Sequence, residues 1–538
     1  MNLDVDLEPF LALDDIQGNI LGGFNKDHQG MLALQIADSM PIVRAKQWLS
    51  GLAPEITALR AVHKFRQERK LALRTEGIEK LDTASTWKAI SFSYSALTRL
   101  TADAQQFTSA SFRGGVAQSS QMLGDPVTAG TAGSPSTWIV GGERNVADVF
   151  CIIASDNPDL VAQELKRLSD SAGNAGFKII YDETGHDLSF YDRNNERKGH
   201  EHFGFKDGIS QPGVRGRVDD GTFFTDRTEP PPEDTSVPTY AVPGQALVAV
   251  GSFVLGYAKQ NPTFASRPDG PDPLAPTPNA IAPSWARNGS FLVFRRLNQD
   301  VPAFNRFIAS QANALALPTT PAERLAALLV GRWKSGAPLA RVSAADDPKL
   351  GQTTPANNAF LYNFGLAAHD GFPDSSPDFS GNQCPVVAHI RKVNPRDLPT
   401  DLGGGASETL SHRILRRGIP FGPALPDGAL EDQECKPRGL LFLSYQRSIE
   451  DGFEFLANRW MNGPRNPQSL PGTDEGFDML VGANPQDAGR QRFCIMPATG
   501  AGNRLPTLGL RSSDWVYPSG GGYFFAPSLT ALRDVIAK

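Results

Sequence analysis

The chain has 538 residues, of which 40% are hydrophobic, and its 58 acidic and 52 basic residues give a formal net charge of −6. This length and apolar content suffice for a large core and predict two or more domains, or one domain with long insertions. No block of Lys and Arg stands out that could neutralise a phosphate backbone, so nucleic acid is not an expected partner.

The first residues, "MNLDVDLEPFLALDD", are acidic and lack the basic start and apolar stretch of a secretory signal. No apolar run is long enough to span a bilayer, so the expected location is the cytoplasm, without a membrane partner. The sequence does not indicate an oligomeric state. The cysteines lack Cys-x-x-Cys spacing, which argues against a disulfide framework or a zinc site and predicts four core thiols, at Cys151, Cys384, Cys435 and Cys494.

The first third of the chain alternates strand-like and helix-like segments. Apolar residues recur at helical spacing in one of them, at Leu160, Val161, Leu165 and Leu168. The order indicates a βαβ-type α+β unit. Its segments are 31–37, 43–52, 88–97, 148–155, 159–173 and 176–183.

The residues from about 212 to 290 are rich in Pro and Gly, as in "TEPPPEDTSVP" and "SRPDGPDPLAPTPNAIAP". Because proline lacks the N–H donor that regular ladders need, we expect long ordered loops or insertions here. One strand-like run, 245–257, interrupts them.

A second α+β unit of the same general type is predicted beyond residue 288. One of its helices opens with a Ser448-x-x-Asp451 cap and places Phe453, Leu456 and Trp460 on one face. Strands are expected at 289–297, 384–393, 439–446 and 521–527, and helices at 321–333 and 448–461.

Two polar segments carry residues with chemical potential. Asp207 lies in "HEHFGFKDGISQP" (200–212), where an Asp before Gly208 is usually a turn residue. His389 lies in "NQCPVVAHIRKVNPRDL" (382–398), where its commoner role is that of a buried strand histidine bonded to the backbone. Each residue has an ordinary structural explanation when it is taken alone.

Two further segments are equally polar. The segment "SHRILRRGIPFG" (411–422) contains Arg413, Arg416 and Arg417, and such arginines are usually solvated or paired at the surface. The carboxylates of "GTDEGFDMLVG" (472–482) would normally cap a helix or shape a loop. The sequence lacks a G-x-S-x-G elbow, an HExxH helix and a phosphate-binding G-x-x-x-x-G-K-[ST] loop. A dinucleotide fingerprint and a Cys-x-x-Cys-His haem attachment motif are also missing. Hydrolase, NTPase and dinucleotide-dependent functions are therefore disfavoured.

In combination, these segments resemble the dye-decolorizing peroxidases. "GFKDGISQP" is similar to the family's Gly-x-x-Asp-Gly signature, and "CPVVAHIRKVNPR", "RILRRGIPFG" and "GLLFLSYQ" resemble its later motifs in the same order. The early "DIQGNILGG" extends the resemblance over most of the chain, and the Pro-rich insertions are similar to those of the larger, insertion-bearing subgroup.

The resemblance implies an α+β fold of two ferredoxin-like units packed together. It implies an N-terminal unit at 1–200 and a haem-binding C-terminal unit at 201–538, with insertions at about 212–290.

The resemblance also implies a non-covalently bound haem b with a proximal histidine as axial iron ligand. His389 matches that position, and His412, inside the later arginine motif, is the weaker choice. The carboxylate that accepts the other imidazole N–H would be Asp478, with Asp474 and Glu475 as alternatives. Such a partner fixes the ring and raises the basicity of the ligand.

The resemblance implies that Asp207 is the catalytic proton carrier on the opposite side of the haem. It also implies that Arg416 is the distal arginine, with Arg417 as the alternative. Arg416 also counts among the haem-contacting residues. Cleavage of hydrogen peroxide to water needs a base that moves a proton between its oxygens, and a fixed cation stabilises the departing charge. An apolar pocket would raise the pKa of Asp207 above its reference value of about 3.9. Leu440 and Phe442 would form the apolar distal wall.

The implied activity is reduction of hydrogen peroxide with oxidation of dyes, phenols or similar organic donors, through an oxoferryl-radical intermediate. Bulky donors would be oxidised at the surface through Trp or Tyr, and Tyr445 and Trp460 are the first candidates. The alternatives are a haem-binding or iron-releasing protein and a haemless scaffold or cargo protein of the same fold.

Overall fold

The fold was determined as a computed structural model. Part of the Pro-rich segment, including 270–280, lies outside the described residues, and so does the prediction of ordered loops there. The structure describes residues 8–76, 85–191, 197–234, 237–261, 268–269, 281–314, 321–467, 474–487, 490–496, 508–511 and 514–538.

Sixteen strands lie within the described residues. Most of the longer ones follow the apolar runs identified in the sequence, because alternate residues of those runs can be buried on the two faces of a sheet. They are β1 (His28–Ile36), β2 (Trp87–Phe92), β3 (Val149–Ser155), β4 (Phe177–His186), β5 (Gly213–Val214), β6 (Tyr240–Val242), β7 (Gln245–Val248), β8 (Lys259–Gln260), β9 (Pro268–Asp269), β10 (Ser290–Gln299), β11 (Leu415–Arg416), β12 (Ile419–Phe421), β13 (Gly439–Gln446), β14 (Arg492–Cys494), β15 (Leu508–Arg511) and β16 (Val516–Ala526).

The described helices pack mainly around the sheet. Three further segments, Glu450–Glu454, Leu456–Met461 and Leu532–Ile536, form wider π-helical turns. The α-helices are α1 (Gly18–Leu21), α2 (Ile42–Leu52), α3 (Leu59–Glu76), α4 (Tyr94–Leu100), α5 (Ala110–Gly114), α6 (Val116–Ser119), α7 (Pro158–Ala175), α8 (Val301–Ala314), α9 (Pro321–Val330), α10 (Pro348–Gln352), α11 (His389–Val393), α12 (Ala406–Ser411) and α13 (Leu529–Ala531).

Nine of the strands form one antiparallel sheet, in the order β10-β16-β2-β3-β1-β4-β12-β13-β11. Because β10 also pairs with β13, the first eight close into a barrel. Each half, β4-β1-β3-β2 and β16-β10-β13-β12, has the order of a ferredoxin-like unit. The halves meet at two short seams, Phe421 opposite Gly185 and Phe525 opposite Phe92. The fold is thus the predicted pair of ferredoxin-like units, while a boundary at residue 200 stays a prediction.

Alternation along the strands separates two hydrophobic clusters. Leu292 and Phe294 of β10 belong to a cluster to which all the barrel strands contribute, and which fills the barrel. Phe291 and Val293 of the same strand belong to a second cluster, under the covering helices. A third cluster, around α8, α9 and the loop before α11, lies beside the C-terminal half.

Helix α7 illustrates how local sequence sets these elements. Its N-cap Asn157 accepts a hydrogen bond from the Asp159 N–H at 2.9 Å, and it ends at Gly176, which has φ of 109°. Val161, Leu165 and Leu168 are buried, as the helical spacing predicted, whereas Leu160 is only half-buried. The helix covers β1, β3 and β4.

Two predicted strands are wrong in whole or in part. The run at 384–393 is a loop followed by α11, since Pro385 lacks an N–H and the Cys384 N–H binds Asp378 at 2.9 Å. The run at 245–257 is a strand only as far as Val248.

Two other predictions need correction. The segment 448–461 is helical and carries the predicted cap, Asp451 N–H to Ser448 Oγ at 3.0 Å, but it adopts π-helical turns. Three cysteines are buried as expected. Cys435 is exposed, because it lies in a polar loop ahead of β13.

Candidate active site

A cavity of about 330 Å³ lies against the outer face of β10 and β13. Leu440 and Phe442 of β13 line it, whereas the alternating Leu441 and Leu443 point into the barrel. The start of α11 and the π-helical segment with Phe453 complete much of the wall. Ligand pockets of this size, mostly apolar with a few converging polar groups, suit a small molecule or cofactor.

His389 is the first residue of α11, and its ring lines this cavity. Its Nδ1 lies 2.7 Å from Oδ2 of Asp478, which is fully buried. The other oxygen of Asp478 accepts the N–H groups of Leu480 at 2.9 Å and Val481 at 3.2 Å. The carboxylate therefore fixes the imidazole and leaves the second ring nitrogen available for a ligand.

The electrostatics of this pair follow from its burial. Burial raises the pKa of Asp478, but the charge of His389 and the hydrogen bonds lower it more, so the pKa lies below its ordinary value. Burial lowers the pKa of His389, and attraction to Asp478 overcomes this effect and raises it. Asp478 is therefore a charged acceptor at neutral pH.

The alternatives to these two residues have other partners. Asp474 pairs with Arg465 at the surface. Glu475 is buried and does not line the cavity. His412 does line the cavity, but its Nδ1 donates to the Asp451 carbonyl at 2.6 Å, and its ring stacks on Phe455 with centroids 3.5 Å apart.

Asp207 and Arg416 meet in the same cavity, although 209 residues separate them. Arg416 Nη1 donates to Asp207 Oδ1 at 2.8 Å, and 31% and 38% of the two side chains, respectively, are exposed, toward the cavity they line. The Asp207 N–H binds the Gly199 carbonyl at 2.8 Å. The positive φ of Gly208, 76°, turns the chain beside it, so Asp207 is a turn residue as well.

The pKa of Asp207 does not shift as the sequence suggested. Burial raises it, but the charge and hydrogen bond of Arg416 lower it more, together with the N–H of Gly208. The net pKa lies below its ordinary value. The raised pKa expected from an apolar pocket is wrong, because Arg416 lies beside the carboxylate.

Arg417 points away from the cavity. Its guanidinium donates to the carbonyls of Asn19, Ile20 and Leu21 at the end of α1, at 3.0, 2.9 and 3.1 Å. It also binds the Arg416 carbonyl at 2.9 Å. The early "DIQGNILGG" segment thus anchors the arginine segment through Arg417, and only Arg416 is left to face Asp207.

A cluster of three arginines in the cavity wall was missed from the sequence. Arg332 and Arg396 donate to main-chain carbonyls and to the Asn358 side chain, and in the described parts of the chain no carboxylate pairs with either of them or with Arg413. Burial and the neighbouring Arg396 and Arg416 lower the pKa of Arg413 to about 9. The prediction that Arg413 is solvated or paired at the surface is wrong, since it lines the cavity, and a sequence carries no signal that distinguishes the two cases.

Tyr445 and Trp460, the residues predicted for oxidation of bulky donors at the surface, are buried. Tyr445 points into the barrel and accepts from Asn19 Nδ2 at 3.4 Å, and the Trp460 indole N–H binds Asp401 at 3.1 Å. Among the Trp and Tyr side chains that the structure describes, Tyr191 is the most exposed, at 39%. Separately, none of the described helices has the length and apolar character required to cross a membrane.

Comparison with known proteins places this geometry in a family. Residues 15–186 match the DyP dimeric alpha+beta barrel domain. Dye-decolorizing peroxidase msp1 of Mycetinis scorodonius is 32% identical, with 98% of this chain and 88% of that protein covered. Dye-decolorizing peroxidase AauDyP1 of Auricularia auricula-judae is 30% identical, with 97% and 86% covered.

A solved structure agrees with these matches. A mutant of the dye-decolorizing peroxidase from Pleurotus ostreatus superposes with a TM-score of 0.75 at 29% identity, covering 98% of this chain and 100% of that one. The chain belongs to the dye-decolorizing peroxidase family and is a haem-dependent peroxidase that oxidises dyes.

Proposed function

We propose that the cavity binds haem b non-covalently and that His389 is the axial ligand of its iron. The observation that carries the proposal is the 2.7 Å contact of His389 Nδ1 with Asp478, which leaves the opposite ring nitrogen available on the cavity side. A charged partner on the far side of a ligating histidine fixes its orientation and makes it a stronger donor. Asp478 would fill that role.

The chemistry of the wall fits haem. Its apolar part, with Leu440, Phe442 and Phe453, suits the porphyrin face, and Arg413 and Arg396, which have no carboxylate partner among the described residues, suit the two propionates. Buried cations without a counter-charge are costly, so an anionic ligand offsets a desolvation penalty. None of the four cysteines lines the cavity, which supports binding without a thioether link.

When bound, haem iron supplies the two-electron reduction of hydrogen peroxide. Asp207 takes a proton from one oxygen of the peroxide and returns it to the other, so that the leaving group departs as water. Since Arg416 holds its pKa below the ordinary value, Asp207 stays a carboxylate in moderately acidic solution. Arg416 orients the peroxide and stabilises the charge on the departing oxygen.

Leu440 and Phe442 would limit access to this side of the cavity. They are alternate residues on the same face of β13, and Ser444, the next residue on that face, lies opposite Arg416 of β11. A wall of this kind admits a small peroxide and excludes water from the charged pair, which strengthens electrostatic effects there. Organic donors, small or bulky, would then supply the electrons.

The test is haem retention. The purified protein should show a Soret band that His389→Ala weakens strongly and His412→Ala leaves in place, because of these two histidines His389 is the one with a carboxylate on its Nδ1. Equal loss in both variants, or loss in His412→Ala alone, would contradict the assignment.

A further inference from the structure

Arg416 lies on a sheet edge that no strand covers in the described structure. Strand β11 is the last strand of the sheet and pairs only with β13, with Leu415 opposite Tyr445 and Arg416 opposite Ser444. The Arg417 N–H reaches Leu443 O at 2.7 Å, so the main-chain groups on either side of Arg416 are directed to β13. In an antiparallel pair, the main-chain N–H and C=O groups of alternate residues point away from the partner strand. Those of Arg416 point away from β13.

The side chain of Gln211 occupies this edge. Its Oε1 accepts the Arg416 N–H at 3.3 Å, and its Nε2 donates to the Arg416 carbonyl at 3.1 Å. A carboxamide presents a donor and an acceptor side by side, as a peptide group does, so it can replace one residue of a neighbouring strand. Gln211 is itself held, since Gln245 Nε2 in β7 donates to its carbonyl at 3.3 Å.

Gln211 also belongs to the loop that carries Asp207, four residues earlier. The loop and the strand are therefore tied twice, once through the Asp207–Arg416 ion pair and once through the Gln211 carboxamide. About a third of each charged side chain is exposed, toward the cavity, so side-chain packing alone does not hold the pair. Its geometry depends on where the two backbones lie.

We infer that Gln211 is a positioning residue, which sets the separation of Asp207 and Arg416 by completing the β11 edge. The inference rests on the roles proposed above for those two residues. Misplacing a catalytic group by about 1 Å can cost about 100-fold in rate. Loss of the Gln211 contacts should therefore impair peroxide reduction without removing any group that touches peroxide.

The experiment replaces Gln211 by Met, which has similar length and volume and makes neither hydrogen bond. We expect haem content like that of the wild type and a reaction with hydrogen peroxide that is slower by about 10- to 100-fold. We also expect the acidic inflection of that rate to move to higher pH. The charged groups around Asp207 are Arg416, His389 and Glu201, and of these Arg416 is the one that Gln211 holds.

Asn157, the N-cap of α7, offers a control away from the site. Its side chain also binds the main chain, with Oδ1 accepting the Asp159 N–H at 2.9 Å, and α7 packs on β1, β3 and β4. It does not line the cavity. Asn157→Ala should lower the melting temperature and leave the rate and its inflection unchanged. If both variants shift the inflection equally, Gln211 has only a general structural role and the inference is wrong.

Two further variants separate the inference from the proposed function. Gln211→Asn keeps a polar amide, but its side chain is one methylene too short to make both contacts. It should show the same slower rate and shifted inflection, and it replaces Gln211→Met if that variant does not fold. Gln211→Met should cost nothing further in an Arg416→Leu background. A slow Arg416→Leu enzyme beside a full-speed Gln211→Met enzyme overturns the inference alone, whereas a full-speed Arg416→Leu enzyme overturns the role proposed for Arg416.

Discussion

Removal of the Asp207–Arg416 pair should reveal one catalytic unit rather than two independent groups. Losing a preorganised cation costs about 100- to 1,000-fold, and losing a proton carrier costs about 100- to 10,000-fold. Independent effects would multiply in the double variant. The two side chains are joined at 2.8 Å and, in the proposed mechanism, act on the same peroxide. We therefore expect Asp207→Asn/Arg416→Leu to react within about tenfold of the slower single variant.

The pH dependence separates the two roles. In the proposed mechanism peroxide reduction needs the Asp207 carboxylate, so the wild-type rate should fall as pH drops through a pKa that Arg416 holds below its ordinary value. Arg416→Leu leaves the opposing effect of burial, so its inflection should move to higher pH, and Asp207→Asn should have no such inflection.

Stopped-flow mixing with hydrogen peroxide from acidic to neutral pH measures both quantities. Multiplicative losses in the double variant, or a downward shift of the inflection in Arg416→Leu, would refute the reasoning. If Asp207→Asn reacts at the wild-type rate, Asp207 has only the structural role of a turn residue.

Three other outcomes are expected. Asp478→Asn should retain haem and raise the ferric/ferrous potential in a spectroelectrochemical titration, because a neutral acceptor makes His389 a weaker donor; an unchanged potential would contradict the pairing. Arg413→Ala should weaken haem binding about 10- to 100-fold in a transfer assay, the value of one charge-assisted hydrogen bond, and unaltered transfer would show that the propionates lie elsewhere. Tyr191→Phe should slow oxidation of a bulky dye while a small phenol reacts as before, because Tyr191 is exposed. Tyr445 is buried, so Tyr445→Phe should change neither rate. Equal slowing of both donors by Tyr191→Phe would argue against a surface site at this residue.

Periodicity in the sequence predicted the helices that bury one face. The segment 159–173 lies within α7, because its apolar residues recur at a spacing that places them on one side of a helix. The run at 148–155 contains β3, which is buried on both faces, and its β-rich composition rather than a repeat indicated the strand. The same reasoning failed at 384–393. There the apolar residues pack into the third cluster from a loop, and a short apolar run does not distinguish these cases.

The candidate site was predictable only in part. The residues suggested by motif order, His389, Asp478, Asp207 and Arg416, are brought together in pairs across 89 and 209 residues, and their roles stay predictions. Arg413 could not be found in this way. Its surroundings come from several distant segments, and its lack of a carboxylate partner among the described residues is a property of the folded chain.

The bonds from Arg417 to the end of α1 join segments that leave the ribosome far apart in time. The carbonyls of Asn19, Ile20 and Leu21 emerge from the ribosome roughly 400 residues before the arginine that binds them. Until that late segment is synthesised, the nascent protein lacks these bonds, whatever its early half has already formed. Arg416 can therefore take its proposed place beside Asp207 only after both ends of the contact are present.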